Sequence, residues 1–186
     1  TGTESFIRPS LGSWVLYGLG SESRNLPGFV TITPTDKHGG VRNFGSAFLP
    51  AVYQGTPLGS EATKPKDARF RFLGPPADPA QRRQLDFLNQ LNGDAADAEL
   101  DARIRTFETA FRMQASAPDV LDLSKEDKAT RTLYGLDDPA TADFGTQCLL
   151  ARRMSEAGVR FVQCSTGFKW DQHGGLIRGH AANARA

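Results

Sequence analysis

The sequence predicts an α/β protein, on three observations. A helical pattern over 143–156, DFGTQCLLARRMSE, runs almost at once into VRFVQCS at 159–165, which is β-branched and aromatic. A second strand-like run, GFVTIT at 28–33, follows a helical stretch near the start. The strand at 159–165 then opens into a loop of Gly, Lys, Trp, Asp and His. Helices feeding directly into strands of this kind build a sheet covered by helices, and in such sheets ligands sit beyond the carboxyl ends of the strands.

Taken in order, RPSLGSWVLYGLGSE places Pro9 in a first helical turn, with Leu11, Trp14, Val15 and Leu19 on one face and Gly18 and Gly20 as the stop. In GFVTIT, Phe29, Thr31 and Thr33 point to one side and Val30 and Ile32 to the other. Residues 34–79 are rich in Gly and Pro, and NFGSAFLPAVYQGTPL within them has apolar residues without a clean period. That stretch reads as an ordered, packed insertion, since long loops in compact domains usually have a job.

A helical pair is expected over 79–117. Asp78 caps the first helix with Pro79 at its first position, Leu85, Leu88 and Leu91 form its stripe, and Asn92-Gly93 stops it. The second begins near Asp97, carries Leu100, Ile104, Phe107 and Phe111 at three-and-four spacing, and ends at Pro118. Ser124 with Asp127 resembles a capping box opening a short helix that Gly135 closes. The helix over 143–156 sets Phe144, Cys148, Leu149 and Met154 near one face, with Gly158 as its left-handed stop, and a further helix begins near the end of the chain.

Composition narrows the function classes. The 186 residues suit one domain or part of a larger one. A net charge of +1, from 22 basic and 21 acidic residues, offers no field to gather nucleic acid or anionic lipid. No apolar run approaches the roughly 20 residues that span a bilayer, and TGTESFIRPS carries no targeting signal. Cys148 and Cys164 make no disulfide framework and read as small buried hydrophobes.

The chemistry concentrates in WDQH. Asp171 and His173 stand two apart just past a strand, so in an extended turn both side chains point the same way. A carboxylate with an imidazole suits zinc or a similar first-row ion better than an all-oxygen calcium site, and His180 is near enough to add a third ligand or a supporting contact. The alternative is a solvated polar loop in which Asp171 caps a turn. Elsewhere, GLG at 18–20 lacks the remaining features of a phosphate loop, His38 lies in a polar Gly turn, and Arg152-Arg153 reads as a solvated helix face of which one guanidinium is able to hold a carboxylate or oxyanion. Ser165 and Thr166 precede the Asp-His pair without a nucleophile elbow, so no catalytic residue is assigned.

RPSLGSWVLYGLGSESRNLPGFV, FLPAVYQGTPL, LDFLNQLN, ARIRTFETAFRMQ, LYGLD, FGTQCLLARRMSEAGVRFVQ and WDQH, in that order, resemble bacterial proteins of the domain-of-unknown-function 1501 family. That family is similar to sulfatases and the alkaline phosphatase superfamily. The resemblance implies a three-layer α/β/α sandwich with a helical insertion and a metal-centred site hydrolysing phosphate or sulfate esters, small or polysaccharide-borne. Asp171 and His173 correspond to the family's Trp-Asp-x-His element, with His180 as a weaker match; zinc is the leading ion, with calcium or magnesium as alternatives. The family's earlier Gly-Gly-x-Ser block and later Glu-Phe-Gly-Arg block do not occur here. The expectation is therefore an internal piece of a secreted or periplasmic protein more than twice as long, holding at most half of a site. A non-catalytic binding or scaffolding protein of the same fold, and an independent domain whose WDQH loop is structural, remain as alternatives.

Overall fold

The computed structural model describes residues 6–37, 39–71, 73–74, 78–95, 97–167 and 170–184. His38 lies outside them. Phe29–Ile32 form β1, and all four residues are buried. A strand buried on both faces is the mark of a parallel sheet covered on both sides. Two strands flank it, Thr56–Leu58 (β2) and Phe161–Cys164 (β3), both parallel to it, in the order β2-β1-β3. Ile32 sits opposite Leu58 on one side and Cys164 on the other. All three carboxyl ends thus reach the same edge.

The alternation predicted for 28–33 sorts the core into two clusters. Val30 and Ile32 pack with Leu58, Met113, Ala117, Leu150 and Met154. Phe29 packs with Leu16 and Phe44, and its ring meets Phe161 edge to face at 5.1 Å. Each such large side chain contributes about 1.5–3 kcal/mol by leaving water, so the sheet is held from both sides. Among the described residues the fold is a mixed α/β arrangement of this small parallel sheet and six α-helices.

The first helix, Leu11–Leu19 (α1), begins after Pro9 rather than around it: Ser10 is the cap, accepting from the Ser13 amide at 3.4 Å and meeting the Ser13 hydroxyl at 2.9 Å. Its orientation reverses the expected one. Gly12, Ser13 and Leu16 are buried, whereas Leu11, Trp14 and Leu19 are exposed. The reason is proximity, because a Cβ on Gly12 would lie 2.5 Å from the Phe29 ring and 2.7 Å from Phe161. Small residues let α1 approach the sheet beside Leu16, and Leu11, Trp14 and Leu19 turn outward.

The described residues within 34–79 contain β2, which the aperiodic sequence did not reveal. Three residues are too few to show a period of two, and Pro57 within them suits an edge strand. Short 3-10 turns at Gly40–Asn43, Ala51–Tyr53 and Pro65–Asp67 fill much of the rest.

The helical pair is present as Pro79–Ala95 (α2) and Ala98–Leu121 (α3). Asp78 and Asp97 cap them, accepting from the amides of Ala80 and of Glu99 and Leu100. They are pinned together where Glu108 accepts from Asn89 at 2.8 Å and Arg82 at 3.3 Å. Both helices outrun their expected stops. Gly93 lies inside α2, and Pro118 inside α3, whose last turn is secured externally: Arg153 donates to the carbonyls of Asp119 and Val120, both at 2.8 Å. Those are carbonyls a helix terminus otherwise leaves without partners. Of the expected α3 stripe, Ile104 is buried, Leu100 and Phe107 are exposed, and the core contacts come from Met113 and Ala117.

Asp127, not Ser124, caps the short helix Lys128–Leu133 (α4), accepting from the Thr130 amide at 2.7 Å, while Ser124 sits in a preceding 3-10 turn. Ala142–Glu156 (α5) buries Leu149, Leu150 and Met154 and ends ahead of Gly158, whose φ of 87° provides the expected left-handed stop. Phe144 from the expected face is exposed. Leu176–Asn183 (α6) is the expected final helix, and none of it is buried.

Candidate functional site at the carboxyl edge of the sheet

The carboxyl ends of the three strands open onto a cleft of about 500 Å³ lined by Thr33, Glu61, Lys64, Asp143, Gln147 and Ser165 through Gly167, among others. Thr33, directly after β1, has a φ of 42°, a left-handed conformation that a β-branched residue adopts at a cost of about 1–3 kcal/mol. Its amide donates to the Leu58 carbonyl at 2.9 Å, which ties the bend to β2. Glu61 closes the next loop, accepting from the Thr35 hydroxyl and the Asp36 amide, both at 3.0 Å. The Glu61 carboxylate also flanks the loop after β3, since a Cβ on Gly167 would meet its Oε1 at 3.4 Å.

Gln147 holds the third side. Its Nε2 donates to the Ser165 carbonyl at 2.9 Å and its Oε1 accepts from the Ser165 amide at 3.0 Å. Both main-chain groups of Ser165 are thereby satisfied by one buried side chain, and the chain leaving β3 is aimed into the cleft. Asp143, in the first turn of α5, offsets the partial positive charge that the helix N-terminus brings to this edge. A larger hollow of about 670 Å³ lies between Lys66–Leu73 and Pro118–Ser124. Its Arg69 guanidinium is spent on the carbonyls of Lys66 and Ala68, so the strand-end cleft is the better candidate.

The predicted ligand pair, which follows β3 in the chain, is brought together. Asp171 Oδ1 and His173 Nε2 lie 3.2 Å apart, with the imidazole largely in solvent. A carboxylate oxygen beside an imidazole nitrogen suits zinc in donor type. His180 stands on α6, where its ring meets Trp170 edge to face at 5.5 Å and its Nε2 is buried without a hydrogen-bond partner. Among the described residues, no three His, Cys, Asp or Glu side chains converge as a metal site. The pair thus offers two donors, and His180 is a nearby orphaned nitrogen.

Arg152 and Arg153 are engaged rather than merely solvated. Arg152 holds both carboxylate oxygens of Glu126 at 2.8 Å, and Arg153 donates to one of them. The hydrogen bonds from Arg152 and then from Arg153 hold the Glu126 carboxyl below its usual range. This cluster joins α5 to the end of α3 and is structural. Sequence reasoning missed Thr33, Glu61 and Gln147. Thr33, a polar residue directly after a strand and followed by Pro34, carried the one local signal.

These features define an α/β protein with a cleft at the carboxyl edge of a small parallel sheet. The family model described as "Protein of unknown function (DUF1501)" matches residues 1–186, and the chain belongs to that family. No curated protein and no solved structure matches it.

Proposed function

We propose that this protein serves a sulfatase-like, metal-dependent hydrolase of phosphate or sulfate esters, secreted or periplasmic, in which Asp171 and His173 supply one ligand pair. The observation that carries this reading is the 3.2 Å approach of the carboxylate to the imidazole on the chain leaving β3. Parallel strands place ligands beyond their carboxyl ends, and Asp171 and His173 follow β3 in the chain. On this reading the remaining ligands and the nucleophile are still to be assigned, in a sandwich of the alkaline phosphatase kind. His180, with its orphaned Nε2, is the third candidate.

A metal bound there polarises an ester oxygen and lowers the pKa of a nucleophilic hydroxyl or water. The chain's own part is positional. Asp171 presents Oδ1 and His173 presents Nε2 from one short turn, and the Gln147 clamp on Ser165 fixes where the chain leaves β3. The test is calorimetric titration of the purified protein with zinc, calcium and magnesium, alongside hydrolysis of p-nitrophenyl phosphate and sulfate by the full-length gene product. Expected is saturable zinc binding that Asp171→Ala or His173→Ala weakens about 10-fold or more, on the scale that losing a supporting contact already costs. Unchanged binding in both variants sinks the assignment.

A second reading, a non-catalytic module that binds polysaccharide, rests on a different observation. Phe48, Trp14, Tyr17 and Tyr53 form a chain of edge-to-face rings with centroids 5.8, 5.9 and 5.3 Å apart along the exposed side of α1. Aromatic faces of this kind combine apolar area with polar handles at low entropic cost. Quenching of tryptophan fluorescence by soluble polysaccharide, lost in Trp14→Ala, together with no ester hydrolysis, supports this second reading over the first.

A further inference from the structure

A separate cavity of about 400 Å³ opens at the amino ends of β1 and β2. Gly28, which leads into β1, and Thr56, the first residue of β2, both line it. Since the two strands are parallel, this is the end of the sheet away from Thr33 and the strand-end cleft. Leu16, Leu26, Phe70 and Met113 supply apolar lining; all four are buried, and between them they belong to both core clusters. The stretch of α3 from Arg105 to Met113 supplies another wall.

Most of the polar groups around this cavity are already spent. Ser21 donates to the Ser23 carbonyl at 3.1 Å, and the Ser23 hydroxyl accepts from the amides of Asn25 and Leu26. The hydroxyls of Thr106 and Thr109 donate to carbonyls of their own helix at 3.0 and 2.9 Å. Arg105 is paired with Asp101 at 2.8 Å. Arg71 is different: it is exposed, and among the described residues its guanidinium has neither an ion pair nor a hydrogen bond. No Asp or Glu is among the described residues that line the cavity. The result is an apolar hollow with one uncompensated cation beside it.

We propose that this cavity binds a small monocarboxylic acid with an apolar body, whose carboxylate pairs with Arg71. Its volume lies in the range of small-molecule sites, roughly 300–1,000 Å³, which are mostly apolar with a few polar groups that fix orientation. A guanidinium is a planar fork that matches a carboxylate with two parallel N–H donors. One free cation suits one negative charge, because the second arginine is already offset by Asp101. Arg71 is exposed, so the carboxylate keeps water on its outer side while the apolar body covers the buried leucines, Phe70 and Met113, and no charge is buried without a partner. None of this depends on the metal reading, since the cavity shares no lining residue with the strand-end cleft and uses neither Asp171, His173 nor His180.

The test is calorimetric titration of the purified protein with 4-phenylbutyrate and with its neutral amide, 4-phenylbutanamide. Expected is saturable binding of one carboxylate per chain, with the amide weaker by about 10-fold or more, the scale of a lost charge-assisted contact. Arg71→Gln should bring the carboxylate down to the affinity of the amide and leave the amide unchanged. Ala110→Trp, which fills the cavity from the exposed side of α3, should remove both. Circular dichroism checks that the variants are folded, and the surface variant Arg71→Gln keeps the test decisive where the tryptophan variant is not. No saturable binding, an amide that binds as well as the acid, or binding that survives Ala110→Trp overturns the proposal. So does a concentration-dependent dimer that Ala110→Trp dissolves, which would give the cavity to a second copy of the chain.

Discussion

Between Ala142 and Cys164, α5 and β3 bury Leu149, Leu150 and Met154, clamp Ser165 through Gln147 and bind Glu126 through two arginines. Between Trp170 and Ala184, in the stretch of chain that follows, no described residue is buried, and Ile177 is 88% exposed. The titratable groups divide the same way. In the first region the charges are spent on holding the fold, whereas in the second Asp171, His173 and His180 sit on a turn and a helix that the core does not shape. The difference separates residues that shape the core from residues that stand outside it, and four substitutions sharpen or break it.

The largest effect is expected from Leu149→Ala. Leu149 is fully buried on α5, and its truncation leaves a cavity beside the sheet, for a loss of about 2–5 kcal/mol measured by urea denaturation. A loss below about 1 kcal/mol would mean that this corner collapses around the gap and is less tightly packed than it looks.

Gln147→Leu comes next. It keeps the volume but leaves the Ser165 amide and carbonyl without their partner, at a cost of about 1–3 kcal/mol. Hydrogen exchange at the Ser165 amide should rise more than at Ile32, because the defect is local to the chain leaving β3. Equal acceleration at both amides would show that the clamp supports the whole sheet instead.

Glu126 gives a pH dependence of known sign. Its folded carboxyl is held below the ordinary value of 4.5 by Arg152 and Arg153, so the folded state prefers it ionised. The contribution is therefore present above the unfolded value and fades as pH falls through the lower folded one. Urea midpoints should drop on acidification across that range, and Glu126→Gln should be less stable at neutral pH with a flatter acid limb. An unchanged acid limb would assign the dependence to other carboxylates.

The parts legible in the sequence were those carried by several residues acting together. The strand at Phe29–Ile32, the helix-to-strand passage through Gly158 and the cap at Asp78 each had a period or a turn residue behind them. The parts that were not legible depend on partners distant in sequence. Pro118 fails to end α3 because Arg153, 35 positions on, holds its last carbonyls, and the apolar stripe of α1 points outward because Gly12 is pressed against Phe29. The Asp171–His173 approach could be anticipated from spacing, whereas the strained Thr33 and the Gln147 clamp appear once the parallel edge exists.

The smallest effect is expected from Ile177→Ser, and it is the sharpest test of the comparison. Ile177 is the most exposed large apolar residue of α6, and Leu176 beside it is 55% exposed, so little apolar area returns to water on unfolding. A surface change of this kind costs within about 0.5 kcal/mol, and thermal denaturation of the 186-residue chain should barely register it. Under the proposed reading of a longer protein, the same substitution in that protein tests whether α6 is covered there. Should the midpoint fall by several degrees there and not in the shorter chain, the apolar face of α6 is packed by sequence beyond Ala186, and the turn bearing Asp171 and His173 is held by that packing rather than by solvent. No fall in either protein leaves α6 at the surface.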